Sequence, residues 1–171
     1  PEGTFVCRTF KPQTINPLIY SMILQKKESY QDLIGLRQCI EFGTLQVIME
    51  QGLNPEDAEN LRQIAVSIER ELDEPNPDPK LICRTDIAFH DAIAKATRND
   101  LIVTVNEMLS KLTYGSRIRT IEQCIREHDR KYLVDIHFEI LKILEERDTD
   151  AIAHTLKRSY SYWANLQMEE E

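Results

Sequence analysis

Residues 80–99 read KLICRTDIAFHDAIAKATRN, and this stretch decides the class of fold. When successive residues are placed about 100° apart, the large apolar side chains Ile82, Phe89 and Ile93 fall on one narrow arc. That spacing predicts an amphipathic helix over residues 80–96. Three prolines in alternate positions of residues 75–79 exclude a helix immediately before it, because proline lacks a backbone donor and has a fixed φ angle.

Helical periodicity continues on both sides of this stretch. Helices are predicted over residues 30–51, from Asn54 and Pro55 onward, from Asn99 onward, over residues 118–127, over residues 130–146, and from Asp148 or Thr149 to about residue 167. Only 5 of the 171 residues are Gly, which favours long uninterrupted helices. The predicted fold class is all-α, an antiparallel bundle of about six or seven helices.

Charge and composition exclude several classes of function. The chain carries 21 Lys and Arg against 29 Asp and Glu, a formal net charge of −8, and nucleic-acid binding requires a cationic surface instead. A hydrophobic content of 42% excludes a disordered chain, and no apolar run approaches the ~18 residues of a membrane span. Four scattered cysteines without a CxxC pair indicate reduced thiols and a cytoplasmic protein.

The chain has two predicted regions, and residues 1–28 differ from the rest. They contain β-forming residues and prolines without a helical repeat, which is typical of a strand end and a linker. Residues 29–171 contain the predicted helices and form the predicted domain. Because the first residue is Pro1 rather than Met, we expect the chain to be a piece of a longer protein.

Two polar residues lie beside the apolar arc of the helix over residues 80–96. Asp86 and His90 are four residues apart and therefore stack on one face of that helix. A carboxylate and an imidazole at this spacing can share one divalent ion, and the alternative is a paired Asp and His at the margin of the core. His137 lies in the middle of another apolar face, where a core histidine with its hydrogen bonds satisfied is the simplest interpretation.

Arg37 and Ser159 are further polar residues on apolar faces. Arg37 lies on the arc of Leu33 and Ile48, where a guanidinium needs a partner, either Glu41 one turn later or an anionic ligand. Ser159 interrupts the apolar stripe of the last helix, and its small side chain leaves room for a ligand, a water or a neighbouring side chain. We expect the buried polar side chains of several helices to face one internal cavity large enough for a small acid.

The order and spacing of these residues resemble the effector-binding C-terminal domain (FCD domain) of the FadR subfamily of GntR transcription regulators. Residues 37–41 (RQCIE) resemble the R-x-x-[LI]-E of its first helix, and residues 86–90 (DIAFH) resemble its D-x-x-F-H signature. Residues 94–99 are similar to its A-x-A-T-G-N turn, with Arg98 in place of Gly. Residues 137–148 resemble its H-x-x-I-L…D stretch, so the resemblance covers most of the chain.

This resemblance implies a metal site. In metal-binding members of the family an Asp and a His from one helix and two further His bind the ion, and Asp86, His90 and His137 match the first three. The fourth ligand is expected 22 residues after His137, where this chain has Ser159. Because Ser is a poor ligand for zinc or nickel, a divalent metal ion would have three protein ligands, with an effector or water completing its coordination, or the site has lost its metal.

Residues 3–6 (GTFV) resemble the G-T-[FY]-V that closes the wing of the family's winged helix-turn-helix domain. The resemblance therefore implies that residues 1–28 are the end of a DNA-binding wing and a linker. It also implies a homodimer. The preferred hypothesis is that a small organic acid binds Arg37 and Ser159, and the metal where one is present, and so controls operator binding. DNA would be contacted only through the missing N-terminal domain, no membrane is involved, and the chain is expected not to be an enzyme.

Two other functions stay open on the sequence. A helical metalloenzyme would hold its metal through Asp86, His90 and His137, since three protein ligands and an open position are typical of catalytic zinc. No general base or nucleophile accompanies these residues in the sequence, so no catalytic residue is proposed. The other alternative is a purely structural bundle that only dimerises.

Overall fold

The computed structural model describes the backbone of residues 29–161 and the side chains of residues 32–161. Over this range the chain forms six α-helices: α1 Ser29–Gln51, α2 Pro55–Asp73, α3 Pro79–Ala96, α4 Asp100–Arg126, α5 Arg130–Glu146 and α6 Thr149–Ser159. No strand occurs in these residues, and the predicted all-α class is confirmed. The predicted wing and linker of residues 1–28, and the predicted helix beyond residue 161, lie outside the described residues.

Capping residues set most of the helix boundaries. Asn54, Asp78, Asn99 and Asp148 stand immediately before α2, α3, α4 and α6, and the side-chain oxygen of each accepts a hydrogen bond from a backbone N–H in the first turn. Helix α1 ends before Gly52, whose φ of 87° lies in the left-handed region that glycine tolerates best. The connections between the six helices are short, which favours antiparallel neighbours.

Helix α4 differs from its prediction. Residues 118–126 are helical as expected, but they continue one helix of 27 residues instead of forming a helix of their own. The sequence Tyr114-Gly115-Ser116 favours a break, because Gly in a helix interior is about 1 kcal/mol less favourable than Ala. Packing overrides this preference, since Thr113 and Arg117 on either side of the glycine are both buried.

All six helices contribute to the hydrophobic core, and most of its side chains come from α2, α3, α5 and α6. Helix α3 packs against α2 and α4, and α5 packs against α2, α4 and α6. The most buried side chains include Leu61, Ile68 and Leu72 of α2, Ile82, Phe89 and Ile93 of α3, Ile140, Leu141 and Leu144 of α5, and Ile152 of α6. Burying one such side chain stabilises the fold by roughly 1.5–3 kcal/mol, so this core fixes the relative positions of α3 and α5.

The chain divides into two compact units, Pro1–Arg37 and Gln38–Glu171. The described part of the first unit is the beginning of α1, where Leu33, Ile34 and Arg37 are buried. All of α2 to α6 belongs to the second unit. None of the helices within the described residues is both long and apolar enough to cross a bilayer.

Candidate metal and effector site

Asp86, His90 and His137 meet between α3 and α5. Nε2 of His137 lies 3.1 Å from Oδ1 of Asp86, and Nε2 of His90 lies 3.8 Å from the same oxygen. One nitrogen or oxygen of each residue lies within 4.8 Å of those of the other two. Asp86 on α3 and His137 on α5 are 51 residues apart in the sequence. The two helices therefore direct the imidazoles of His90 and His137 toward one carboxylate oxygen of Asp86.

His137 is held in a fixed orientation by its surroundings. Only 4% of the residue is exposed, its Nδ1 lies 2.6 Å from the carbonyl oxygen of Leu133, and the edge of Phe89 packs against the ring with centroids 4.8 Å apart. A carbonyl oxygen can only accept a hydrogen bond, so Nδ1 carries the proton and donates a hydrogen bond to the carbonyl of Leu133. Nε2 is then the ring nitrogen that faces Asp86, and it is the one left for a partner at that position.

His90 lies between two carboxylates. While its Nε2 faces Asp86, its Nδ1 lies 3.4 Å from Oε1 of Glu41 on α1. The other oxygen of Glu41 accepts a hydrogen bond of 2.5 Å from the hydroxyl of Tyr160, the residue that follows α6. Only 11% of the His90 side chain and 12% of the Glu41 side chain are exposed, so these contacts form in surroundings with little water.

Arg117 is a member of the site that the sequence analysis missed. Its guanidinium forms an ion pair with Oδ2 of Asp86, the oxygen that does not face the imidazoles, and only 3% of the residue is exposed. Burial alone would raise the pKa of Asp86, but the charge of Arg117 and the hydrogen bond with His137 hold that pKa well below its usual range. Asp86 is therefore an ionised carboxylate with different partners on its two oxygens.

A pattern in the sequence could have revealed Arg117. Asn106, Ser110, Thr113, Arg117 and Thr120 follow one another at spacings of three or four residues, and all five are buried. The prediction of two separate helices, one from Asn99 onward and one over residues 118–127, concealed this stripe, because a face can be recognised only along a continuous helix. Helix α4 therefore presents a polar face to the interior of the domain.

The predicted effector-binding residues Arg37 and Ser159 lie on α1 and at the end of α6. The hydroxyl of Ser159 donates a hydrogen bond of 2.8 Å to the carbonyl of Leu156 in its own helix. Arg37 is buried, with 4% of the residue exposed. The roles of Arg37 and Ser159 in effector binding stay predictions.

A small cavity adjoins His90. Its polar lining residues are Glu41, Thr44, His90 and Asn106, and its apolar lining comes from Ile40, Leu45, Ile93, Ile140 and Leu156. Its volume is about 10 Å³, which holds roughly one water molecule. The sequence analysis expected room for a small acid, and the cavity beside His90, as the described residues line it, holds less than that. Tight packing of apolar side chains from α3, α5 and α6 accounts for the difference.

The described part of the chain is an all-α domain in which a carboxylate, two imidazoles and a guanidinium meet between the helices. The sequence identifies the family. The family model of the FCD domain matches residues 32–161, well over half of the chain, and the chain therefore belongs to the FCD domain family. The resemblance that the motifs indicated is confirmed.

One curated relative supports this assignment. The HTH-type transcriptional regulator LutR of Bacillus subtilis (strain 168) is 25% identical to the chain over 142 residues, which cover 77% of this chain and 62% of LutR. The chain thus spans less than two thirds of the length of that regulator. No solved structure gives a significant match to the chain.

Proposed function

We propose that the chain is the effector-sensing and dimerisation domain of a DNA-binding transcription regulator of the GntR family, FadR subfamily. Membership of the FCD family and the similarity to LutR, which is named an HTH-type transcriptional regulator, support this proposal. Operator binding then belongs to a helix-turn-helix domain in another part of the full protein. The domain itself binds a ligand without turning it over, and the protein acts in the cytoplasm as a homodimer.

The observation that carries the proposal is the direction of the three donor groups. Because Nδ1 of His137 is committed to Leu133, Nε2 is the nitrogen available to a metal, and it faces the same carboxylate oxygen as Nε2 of His90. Zinc–ligand bonds of about 2.0–2.2 Å place neighbouring donor atoms roughly 3–4 Å apart. The spacing of Asp86, His90 and His137 is close to that requirement, so the donor set fits a divalent ion such as zinc or nickel. When bound, such an ion supplies a positive charge and open coordination positions.

The charges around the site favour an anionic effector. Arg117 contributes a positive charge beside Asp86, and a divalent ion would add two positive charges at the position that the imidazoles face. These charges would attract the carboxylate of a small organic acid, which would occupy the coordination position for which α6 offers Ser159 in place of His. In this proposal Arg37 and Ser159 provide further contacts to the acid.

Effector binding controls DNA binding through a change of domain arrangement. A ligand shifts such an equilibrium only when it binds one arrangement more tightly than the other. The observed cavity holds about one water, so an acid that enters beside His90 has to displace side chains of α1, α3 or α6. In the proposal, this displacement makes the acid bind one domain arrangement more tightly than the other. A homodimer then transmits the change of arrangement to the two halves of a palindromic operator.

Metal analysis of the chain tests the proposal directly. We expect protein purified without a histidine tag to bind one zinc or nickel ion per chain, measured by elemental analysis and calorimetric titration. The variant His90→Ala should lose this ion, because two protein ligands do not hold it against dialysis. The control variant His154→Ala removes an exposed imidazole from α6 and should bind metal like the wild type.

Calorimetric titration with a panel of small carboxylic acids tests the effector. We expect binding to metal-loaded protein and weaker binding after treatment with EDTA, and we expect Arg37→Ala to lose the acid but keep the metal. A wild-type chain that binds neither metal nor acid would favour the alternative of a purely structural dimerisation bundle. Turnover of an acid or ester by the metal-loaded chain would instead favour the helical metalloenzyme.

A further inference from the structure

Glu41 connects three helices next to the candidate metal site. Its Oε1 lies 3.4 Å from Nδ1 of His90 on α3, and its Oε2 accepts the 2.5 Å hydrogen bond from Tyr160 after α6. Glu41 itself lies on α1. The three side chains are mostly buried, with 11%, 12% and 5% exposure for His90, Glu41 and Tyr160. A carboxylate in such surroundings stays ionised and ordered only with hydrogen-bond donors on its oxygens.

The two nitrogens of His90 face carboxylates of different kinds. Nε2 faces Asp86, which is one of the three candidate metal ligands, and Nδ1 faces Glu41, which is not one of them. A histidine that binds a metal through one nitrogen usually donates the N–H of its other nitrogen to a carboxylate or a carbonyl oxygen, and this contact fixes its tautomer and orientation. For His137 the carbonyl of Leu133 supplies that contact, and for His90 Glu41 is placed to supply it.

We propose that Glu41 and Tyr160 are positioning residues for His90. Glu41 accepts the Nδ1–H of His90, so that Nε2 is presented to the metal, and the Tyr160 hydroxyl holds Glu41 in the required orientation. The inference rests on the metal-binding part of the proposed function. It also gives α6 a role in the site, because the residue after Ser159 supplies a contact to the site although Ser159 itself is a poor ligand.

Metal affinities of variants test the inference. We expect Glu41→Gln and Tyr160→Phe each to weaken zinc binding about 10–100-fold, which is the usual effect of removing such a partner. Zinc affinity is measured by competition with a chromophoric chelator, on full-length chain in every case. The visible absorption of the Co²⁺-loaded chain should also change in both variants, because a rotated imidazole alters the ligand field. A purely structural role would leave that spectrum unchanged.

The double variant tests whether Tyr160 acts through Glu41. If it does, Tyr160→Phe should have no further effect on zinc affinity in a Glu41→Gln background, because coupled residues give non-additive effects. Two control variants make the same substitutions at residues outside the site. Glu139→Gln breaks a partly exposed ion pair with Arg158, and Tyr114→Phe removes an exposed hydroxyl. Both controls should keep the zinc affinity and the cobalt spectrum of the wild type.

Several outcomes would overturn the inference. Wild-type zinc affinity in Tyr160→Phe, the milder variant, would show that its hydroxyl does not position the site, and additive losses in the double variant would show that the two residues act separately. If the wild-type chain binds zinc normally and both variants do as well, only this inference fails. If the wild-type chain binds no metal, the metal-binding part of the proposed function fails along with it.

Discussion

Asp86 is the residue on which the site depends most, because its two oxygens have different partners. Arg117 pairs with one oxygen, and the two imidazoles face the other. The side chain of Arg117 is 4% exposed and that of Asp86 is 15% exposed, so the pair is poorly screened by water. Removing one member of such a pair leaves an uncompensated buried charge, which is far more destabilising than losing the same contact at the surface.

We therefore expect Arg117→Met to lower the free energy of unfolding by about 3–5 kcal/mol, measured by urea denaturation. The control is Arg158→Met, which breaks the ion pair with Glu139 at side chains that are 36% exposed. Exposed pairs contribute about 0–1 kcal/mol, so the control should unfold close to the wild-type midpoint. Equal losses in the two variants would contradict the buried role of Arg117.

The cysteines provide a second prediction for single residues. Burial, followed by the nearby charges of Asp129 and Glu127, raises the pKa of Cys124 to about 12, whereas Cys39 is exposed. Only the thiolate is nucleophilic, so Cys124 has almost no reactive form at pH 8. We expect iodoacetamide to alkylate Cys39 in the folded chain and Cys124 only after unfolding, as measured by peptide mass spectrometry. Alkylation of both thiols at equal rates in the folded chain would contradict this prediction.

Among the helices, α4 shows most clearly what a sequence can and cannot predict. The Asn99 cap and the helical state of residues 118–126 follow from local patterns, and both are confirmed. The continuity of α4 through Gly115 depends on packing with α3, and a local pattern does not contain that information. Because the sequence analysis predicted two separate helices here, it missed the polar face with Arg117 as well.

The glycine in α4 can be tested by substitution. A Cβ atom added at Gly115 meets nothing within 4 Å, and the position is exposed. We expect Gly115→Ala to stabilise the chain by up to about 1 kcal/mol, measured as a rise in the midpoint of urea unfolding.

The control is Gly52→Ala, because Gly52 has a φ of 87°, a backbone conformation that is strained for a residue with a Cβ atom. This variant should be less stable than the wild type. A destabilising effect of Gly115→Ala would show that α4 is not a regular helix at that position.

At the scale of the whole molecule, the class of fold and the family could be predicted, and the composition of the site only in part. Apolar periodicity and the order of the motifs led to an all-α FCD domain, which is confirmed. The meeting of Asp86 with His137 depends on how α3 packs against helices far away in sequence. The contacts of Asp86 with Arg117 and of Glu41 with Tyr160, and the small size of the cavity, depend on the same packing. The sequence of a single helix does not contain the information on how the helices pack against one another.

Thermal melting tests the site within the whole domain. A ligand that binds only the folded chain adds about 2.7 kcal/mol of stability at 100 times its dissociation constant. We expect zinc or nickel to raise the melting temperature, EDTA to reverse this rise, and small carboxylates to add a further rise only with metal present. Melting curves that do not respond to metal, EDTA or carboxylates would contradict the sensor proposal.

The one-water volume beside His90 also has a consequence for kinetics. A pocket that is almost filled admits a larger molecule only after the surrounding side chains move, so opening precedes association. In stopped-flow measurements the observed rate should then level off at high acid concentration, and the plateau gives the opening rate of the bundle. If the proposed function holds, the response time would depend on this motion of the protein more than on the abundance of the acid.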